Sequence, residues 1–60
     1  MFEQNQVVSF TYGDSQEVRR VEIKEIDYKN FQILGKDSAR DGQYRRFKLH
    51  EIHNAYVEVR

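Results

Sequence analysis

Apolar and polar residues alternate along most of the chain with the period of two that is typical of β-strands. Val8, Phe10 and Tyr12 share one parity near the start and predict a half-buried first strand, and residues 13–15 supply a turn after it. A long second strand is predicted over about 16–27. The chain has no proline and few alanines or leucines, whereas valine, isoleucine and aromatic residues recur, which favours strands over helices.

The apolar phase of the second strand changes partway along it. Val21 and Ile23 lie at odd positions, whereas Ile26 lies at an even one. Such a slip predicts a bulge or a sharp bend, which a small barrel needs where a strand passes from one sheet to the next. Lys29 and Asn30 then predict a tight hairpin turn, because asparagine tolerates a positive φ.

The second half of the chain predicts three shorter strands. The third begins at Phe31 and fades at Gly35, and residues 36–42 are predicted to form a loop because Asp, Ser and Gly are frequent there. The segment 50–54 is too short for a stable α-helix and predicts a single 3₁₀ turn. Residues 55–59 alternate again and predict a closing strand.

The fourth strand is predicted over Gln43 to Leu49, and its two faces differ clearly in polarity. Phe47 and Leu49 fall on one face together with Arg45, which indicates the core side. The other, wetter face is predicted to carry Tyr44, Arg46 and Lys48.

Composition indicates one small domain spanning residues 1–60. Eight aromatic residues among 60, four Tyr and four Phe, argue against disorder despite 33% charged residues. The five predicted strands and the 3₁₀ turn before the last one give an all-β class, and the expected architecture is a small SH3/Sm-like barrel. The chain has no cysteine and no apolar run of transmembrane length, so we expect a cytoplasmic protein that does not enter the membrane.

No residue pattern supports catalysis, so the chain is expected not to be an enzyme and to need no cofactor. His50 and His53 flank Glu51 but are three residues apart, whereas the helical zinc-protease motif needs histidines four apart. No third ligand is evident, so no metal site is predicted. The serines lack the strand–turn–helix context of a nucleophile.

The strongest functional signal is a set of basic residues beside an aromatic one, and these are the predicted ligand-binding residues: Arg20, Tyr44, Arg45, Arg46 and Lys48. Arginine forks match phosphate geometry, and an aromatic side chain can stack on a base. The predicted ligand is therefore anionic, with single-stranded nucleic acid as the candidate. The competing interpretation is that these cations pair with the ten acidic residues, because formal net charge is zero.

The pattern also resembles WYL domains over roughly residues 7–57. The segments that carry the resemblance are Val8–Tyr12, Glu17–Val21, Phe31–Ile33 in place of the divergent Trp-Tyr-Leu triplet, and Arg45–Ile52 in place of the Arg-rich signature. The resemblance implies an Sm-like, SH3-type barrel. It also implies a ligand-sensing or regulatory module, tied to transcription factors and to phage or CRISPR defence, whose ligands are nucleic acids or other anions.

Two functions are therefore expected from the sequence. The first is a non-catalytic, WYL-like regulatory module that binds an anionic ligand. The alternative is an SH3-like module that docks a protein partner or a second copy of itself through its strand edges. The attached helix-turn-helix of the family is not seen, so the chain is expected to be either a standalone small protein or an excised domain.

Overall fold

The computed structural model describes residues 2–38 and 42–59, and its regular structure is built from antiparallel strands. The strands are β1 (Val7–Tyr12), β2 (Val18–Asp27), β3 (Gln32–Asp37), β4 (Gln43–Lys48) and β5 (Ile52–Val59). A 3₁₀ turn, Leu49–Glu51, lies directly before β5. The all-β class, the five strands and the 3₁₀ turn before the last strand are thus confirmed. The described residues contain no helix long and apolar enough to cross a membrane.

The strands form one sheet in the order β4-β3-β2-β1-β5. Within the described ranges β4 and β5 do not pair with each other, so the sheet is open and has an edge at each of them. The sheet is nevertheless curled. The backbone N–H of Lys48, at the end of β4, donates a 2.9 Å hydrogen bond to the hydroxyl of Tyr12, at the end of β1. The edge strand β4 therefore approaches β1 although two strands separate them in the sheet.

The predicted bend in β2 is present as an irregularity in its pairing with β3, where the register shifts between Ile23 and Glu25. Gly35 lies opposite Ile23 at this point. A Cβ at Gly35 would collide with the Val21 side chain and lie 3.0 Å from the carbonyl oxygen of Glu22. The two strands approach each other closely where the sheet bends, because glycine leaves the space.

The apolar core lies on one face of this sheet and also encloses an ion pair. Phe10 and Phe47 meet edge to face with ring centroids 5.2 Å apart. The remaining buried apolar side chains come from the first three strands: Val8, Val21, Ile23 and Ile33. Burial of alternate residues on successive strands is what the period of two in the sequence predicts.

The ion pair joins β2 to β3 inside this core. Arg19 Nη1 donates to Asp37 Oδ2 at 2.7 Å, and Asp37 is completely buried. The Arg19 guanidinium also lies over the Phe47 ring, 5.8 Å from its centroid. The pair is therefore enclosed by the core rather than placed at its rim.

The same ion pair explains why the predicted end of β3 is wrong. The strand does not fade at Gly35 but continues through Lys36 and Asp37, because the Asp37 carboxylate faces the core and meets Arg19. The predicted loop over 36–42 is therefore shorter than expected, and residues 39–41 lie outside the described residues. Phe31 was expected to begin β3 but lies in the turn before it.

Other boundaries also differ from the sequence prediction. β2 begins at Val18 rather than near Gln16, because the Ser15 hydroxyl accepts a 3.1 Å hydrogen bond from the Glu17 N–H and extends the turn. The 3₁₀ turn is one residue earlier than predicted, and β5 already begins at Ile52.

Candidate functional site

The exposed face of β4 carries three of the predicted ligand-binding residues. Tyr44, Arg46 and Lys48 alternate along this edge strand, and all three are exposed. Alternate residues of a strand point to the same side and lie about 7 Å apart. The aromatic ring, the guanidinium and the ammonium therefore form one row along the sheet edge, which we call the β4 face.

The neighbouring strand β3 adds one cation to this row. Lys36 lies directly opposite Tyr44 in the antiparallel ladder and is exposed on the same side. Its side chain passes over Gly42, since a Cβ there would lie 2.6 Å from Lys36 Cε. The sequence prediction missed Lys36 because it placed the residue in a loop, where no facing relation to β4 could be inferred.

The cations of the β4 face form no ion pairs with the described carboxylates. Three ion pairs form between described side chains, and they involve Arg19, Arg20 and Lys24. Among the described residues, Lys36, Arg46 and Lys48 have no carboxylate within 4.0 Å. Their charges are therefore available to a ligand.

The Asp27 carboxylate lies near enough to Arg46 for the two charges to interact. The pKa of Asp27 is held below its usual 3.8, chiefly by hydrogen bonds from the Asn30 side chain and backbone, with Arg46 as the smallest of the causes. Asp27 thus stays ionised at neutral pH, and its hydrogen-bond demand is met within its own turn. Its attraction for Arg46 is long-range and screened by salt.

Arg20 lies on the same face of the sheet as Tyr44 but is already engaged. Its Nε donates a 3.0 Å hydrogen bond to Glu58 Oε1, and the other oxygen of Glu58 accepts from the buried hydroxyl of Ser9. Arg20 therefore fixes the end of β5 against β1 and β2. Arg20 thus pairs with an acidic residue on another strand, which is the competing interpretation of the sequence.

Arg45 is separated from the other predicted residues by the alternation of β4. It lies opposite Gly35 in the ladder and is half-buried, whereas its neighbours Tyr44 and Arg46 are exposed on the other side. Its buried Nη1 has no hydrogen-bond acceptor among the described residues. Of the five predicted residues, Tyr44, Arg46 and Lys48 thus lie together on the β4 face. Arg20 forms an ion pair with Glu58, and Arg45 lies on the other side of the sheet.

The clefts near these residues are shallow and of mixed charge. One, of about 550 Å³, is lined by Arg46 and Leu34 together with the acidic residues Glu25 and Asp27. Another, of about 350 Å³, includes Arg20 and Lys36 but also Glu22. An extended strand lying on the β4 face fits this geometry better than a compact anion enclosed in a pocket.

Metal ligation has little basis in the described part of the chain. His50 lies in the 3₁₀ turn and His53 in β5. No group of three or more His, Asp or Glu side chains is placed to hold a metal ion within residues 2–38 and 42–59.

Comparisons with protein-family models, with curated proteins and with solved structures find no match to this chain. The resemblance to WYL domains accordingly stays a prediction from the sequence.

Proposed function

We propose that this chain is a non-catalytic, WYL-like module of the SH3/Sm type that binds single-stranded nucleic acid. The observation that carries the proposal is the β4 face, where Tyr44, Arg46 and Lys48 lie exposed in one row without acidic partners among the described residues. The strand order, the bent ten-residue β2 and the 3₁₀ turn before β5 support the SH3-type assignment. A regulatory role in transcription follows from the family resemblance.

The chemistry of the row suits an extended single strand. A guanidinium forms paired hydrogen bonds with phosphate oxygens, and an ammonium adds a point charge about 7 Å further along the strand. Tyr44 offers a ring on which an unpaired base can stack, which a base inside a duplex cannot do. Because net charge is zero, attraction comes from this local cluster and should be sensitive to salt.

Removing the two β4 cations should weaken binding and flatten its salt dependence. Each phosphate contact with a single strand contributes about 0.7 to the slope of log affinity against log salt, so Arg46→Ala with Lys48→Ala should reduce the slope by about 1.4. The measurement is fluorescence anisotropy of a labelled mixed-sequence oligodeoxynucleotide, titrated with protein at several salt concentrations.

Two variants serve as comparisons in the same titrations. Arg45→Ala removes one charge from the residue next to Arg46 but on the other side of the sheet, so the slope should remain that of the parent. Tyr44→Ala should cost about 1–3 kcal/mol of stacking with the slope unchanged. Thermal melts followed by circular dichroism verify that each variant is folded. Absence of binding at low salt and tens of micromolar protein would contradict the proposal.

A second candidate function, docking of a protein chain or a second copy, has its own observation. Both sheet edges are unpaired among the described residues, and the β5 edge carries the exposed Tyr56. This function predicts an apparent mass above the 7.3 kDa of one chain that rises with concentration in sedimentation equilibrium. A mass that stays at one chain throughout the micromolar range would remove self-association.

A further inference from the structure

The turn between β2 and β3 holds Phe31 in a backbone conformation that a bulky residue rarely adopts. Its φ is +53°, in the left-handed region where Gly and Asn are the usual residues. Its side chain is also 66% exposed, so the ring contributes little to the core. Neither the turn nor the core accounts for a phenylalanine at this position.

Hydrogen bonds on both sides of Phe31 fix this conformation. Asp27 Oδ1 accepts from the backbone N–H groups of Lys29 and Asn30, each at 3.1 Å, and Asp27 Oδ2 accepts from Asn30 Nδ2 at 2.9 Å. The carbonyl oxygen of Phe31 accepts a 2.8 Å hydrogen bond from the N–H of Leu49. The turn is therefore a rigid support that presents its aromatic residue in one place.

A second aromatic residue, Tyr28, lies in the same turn and is 60% exposed. Single exposed aromatic side chains are ordinary on protein surfaces. Here two lie three residues apart, and one of them is held in an unfavourable backbone conformation. Backbone strain of this kind clusters at functional sites, so the Phe31 ring is a candidate ligand contact.

The turn adjoins two lysines and also contains the ionised carboxylate of Asp27. Lys29 lies between the two aromatic residues, and Lys48 of the β4 face pairs with Gln32, the residue that follows Phe31. The hydrogen bond from Leu49 to Phe31 joins the turn to the end of β4. The backbone of Phe31 is thus joined to the end of the row of Tyr44, Arg46 and Lys48, whereas Tyr28 lines a separate cleft with Phe2, Glu3 and Ile26.

We propose that the β2–β3 turn is the base-stacking end of the β4 face. Phe31 takes a base of the same single strand whose phosphates lie along Lys48 and Arg46. The inference rests on the proposed function and adds to it the path of the strand along the sheet edge and a second residue, Phe31, that receives an unpaired base. Charge complementarity favours a polyanion over an apolar protein segment as the occupant.

The first test uses Phe31→Asn, which removes the ring and leaves a residue that tolerates the left-handed region. The variant should unfold at a higher denaturant concentration than the parent, so weaker binding cannot be ascribed to misfolding. Its affinity for a single-stranded oligodeoxynucleotide should fall about 5- to 150-fold, the equivalent of about 1–3 kcal/mol for one stacked base, with an unchanged salt slope. Tyr56→Asn is the matched control, since Tyr56 is 58% exposed on the opposite edge strand, and it should bind as the parent does.

The second test locates the contact directly. An oligodeoxynucleotide carrying 5-iodouracil is photo-crosslinked to the parent protein, and tryptic peptides are identified by mass spectrometry. Cleavage after lysine and arginine separates the three aromatic residues: Tyr28 falls in peptide 25–29, Phe31 in 30–36 and Tyr44 in 41–45. Adducts are expected in 30–36 as well as in 41–45.

The outcomes separate this inference from the proposed function. Adducts confined to 41–45, with parental affinity for Phe31→Asn, would overturn the inference and leave the β4 face as the binding site. Failure of the parent protein to bind at low salt would overturn both. A lower sedimentation mass for Phe31→Asn, with unchanged oligonucleotide affinity, would make a second copy the occupant and also overturn the inference.

Discussion

Replacing Phe47 by alanine is expected to leave the domain largely unfolded at 25 °C. The Phe47 ring is buried at the centre of the core, with the rings of Tyr12 and Phe10 at 5.1 Å and 5.2 Å and the Arg19 guanidinium on its face. Loss of a buried phenylalanine costs about 3–5 kcal/mol. A single core in a chain of this size supplies about 3–5 kcal/mol of net stability, so the loss is comparable to the total free energy of unfolding.

The matched control is Tyr44→Ala on the same strand. Tyr44 is exposed, so its replacement should change the free energy of unfolding by no more than about 0.5 kcal/mol. Urea denaturation followed by circular dichroism gives both values. A Phe47→Ala protein that unfolds cooperatively near the parent midpoint would show that the ring is not the anchor of the core.

Breaking the buried ion pair should be nearly as damaging. Asp37→Ala leaves the Arg19 guanidinium without this carboxylate in a place where its side chain is only 14% exposed. Removal of one partner of a buried pair typically costs about 3–5 kcal/mol, because the remaining charge is neither solvated nor compensated. The measurement is the urea midpoint, and an unchanged midpoint would mean that Asp37 does not support the fold.

Two further variants separate the charge effect from packing. The double change Arg19→Met with Asp37→Leu removes both charges and fills the space with apolar atoms, so it should recover much of the loss. Glu22→Ala breaks a partly exposed pair with Lys24, whose atoms are 3.4 Å apart, and should cost at most about 1 kcal/mol.

Most of the fold could be predicted from the sequence because burial on one side of a strand imposes a period of two. That pattern predicted five strands and the bend of β2, and the shortness of the segment before the last strand predicted the 3₁₀ turn. It misplaced the end of β3, since a glycine followed by charged residues is typical of a loop. β3 continues to Asp37 because that residue pairs with Arg19, which is distant in sequence. Alternation alone contains no information about such a contact.

The candidate site could be predicted only where it depends on alternation within one strand. The exposed row Tyr44, Arg46 and Lys48 follows from the parity of β4. The pairing of Arg20 with Glu58 depends on how β5 registers against β1 and β2, which no local pattern specifies. The left-handed conformation of Phe31 was equally inaccessible, because residue type argues for a strand at that position.

The place of β5 beside β1 has a kinetic consequence. β1 to β4 follow one another as hairpins, whereas β5 must pair with the first strand. The sequence separation between the paired residues Val7 and Val59 is more than three times that between the paired residues Val7 and Glu22. Closing the longer loop costs roughly 1 kcal/mol more in chain entropy. The pairing of β5 with β1 is therefore the slowest step in the search for the fold, and β1 gains its second neighbour only after a ribosome has released β5.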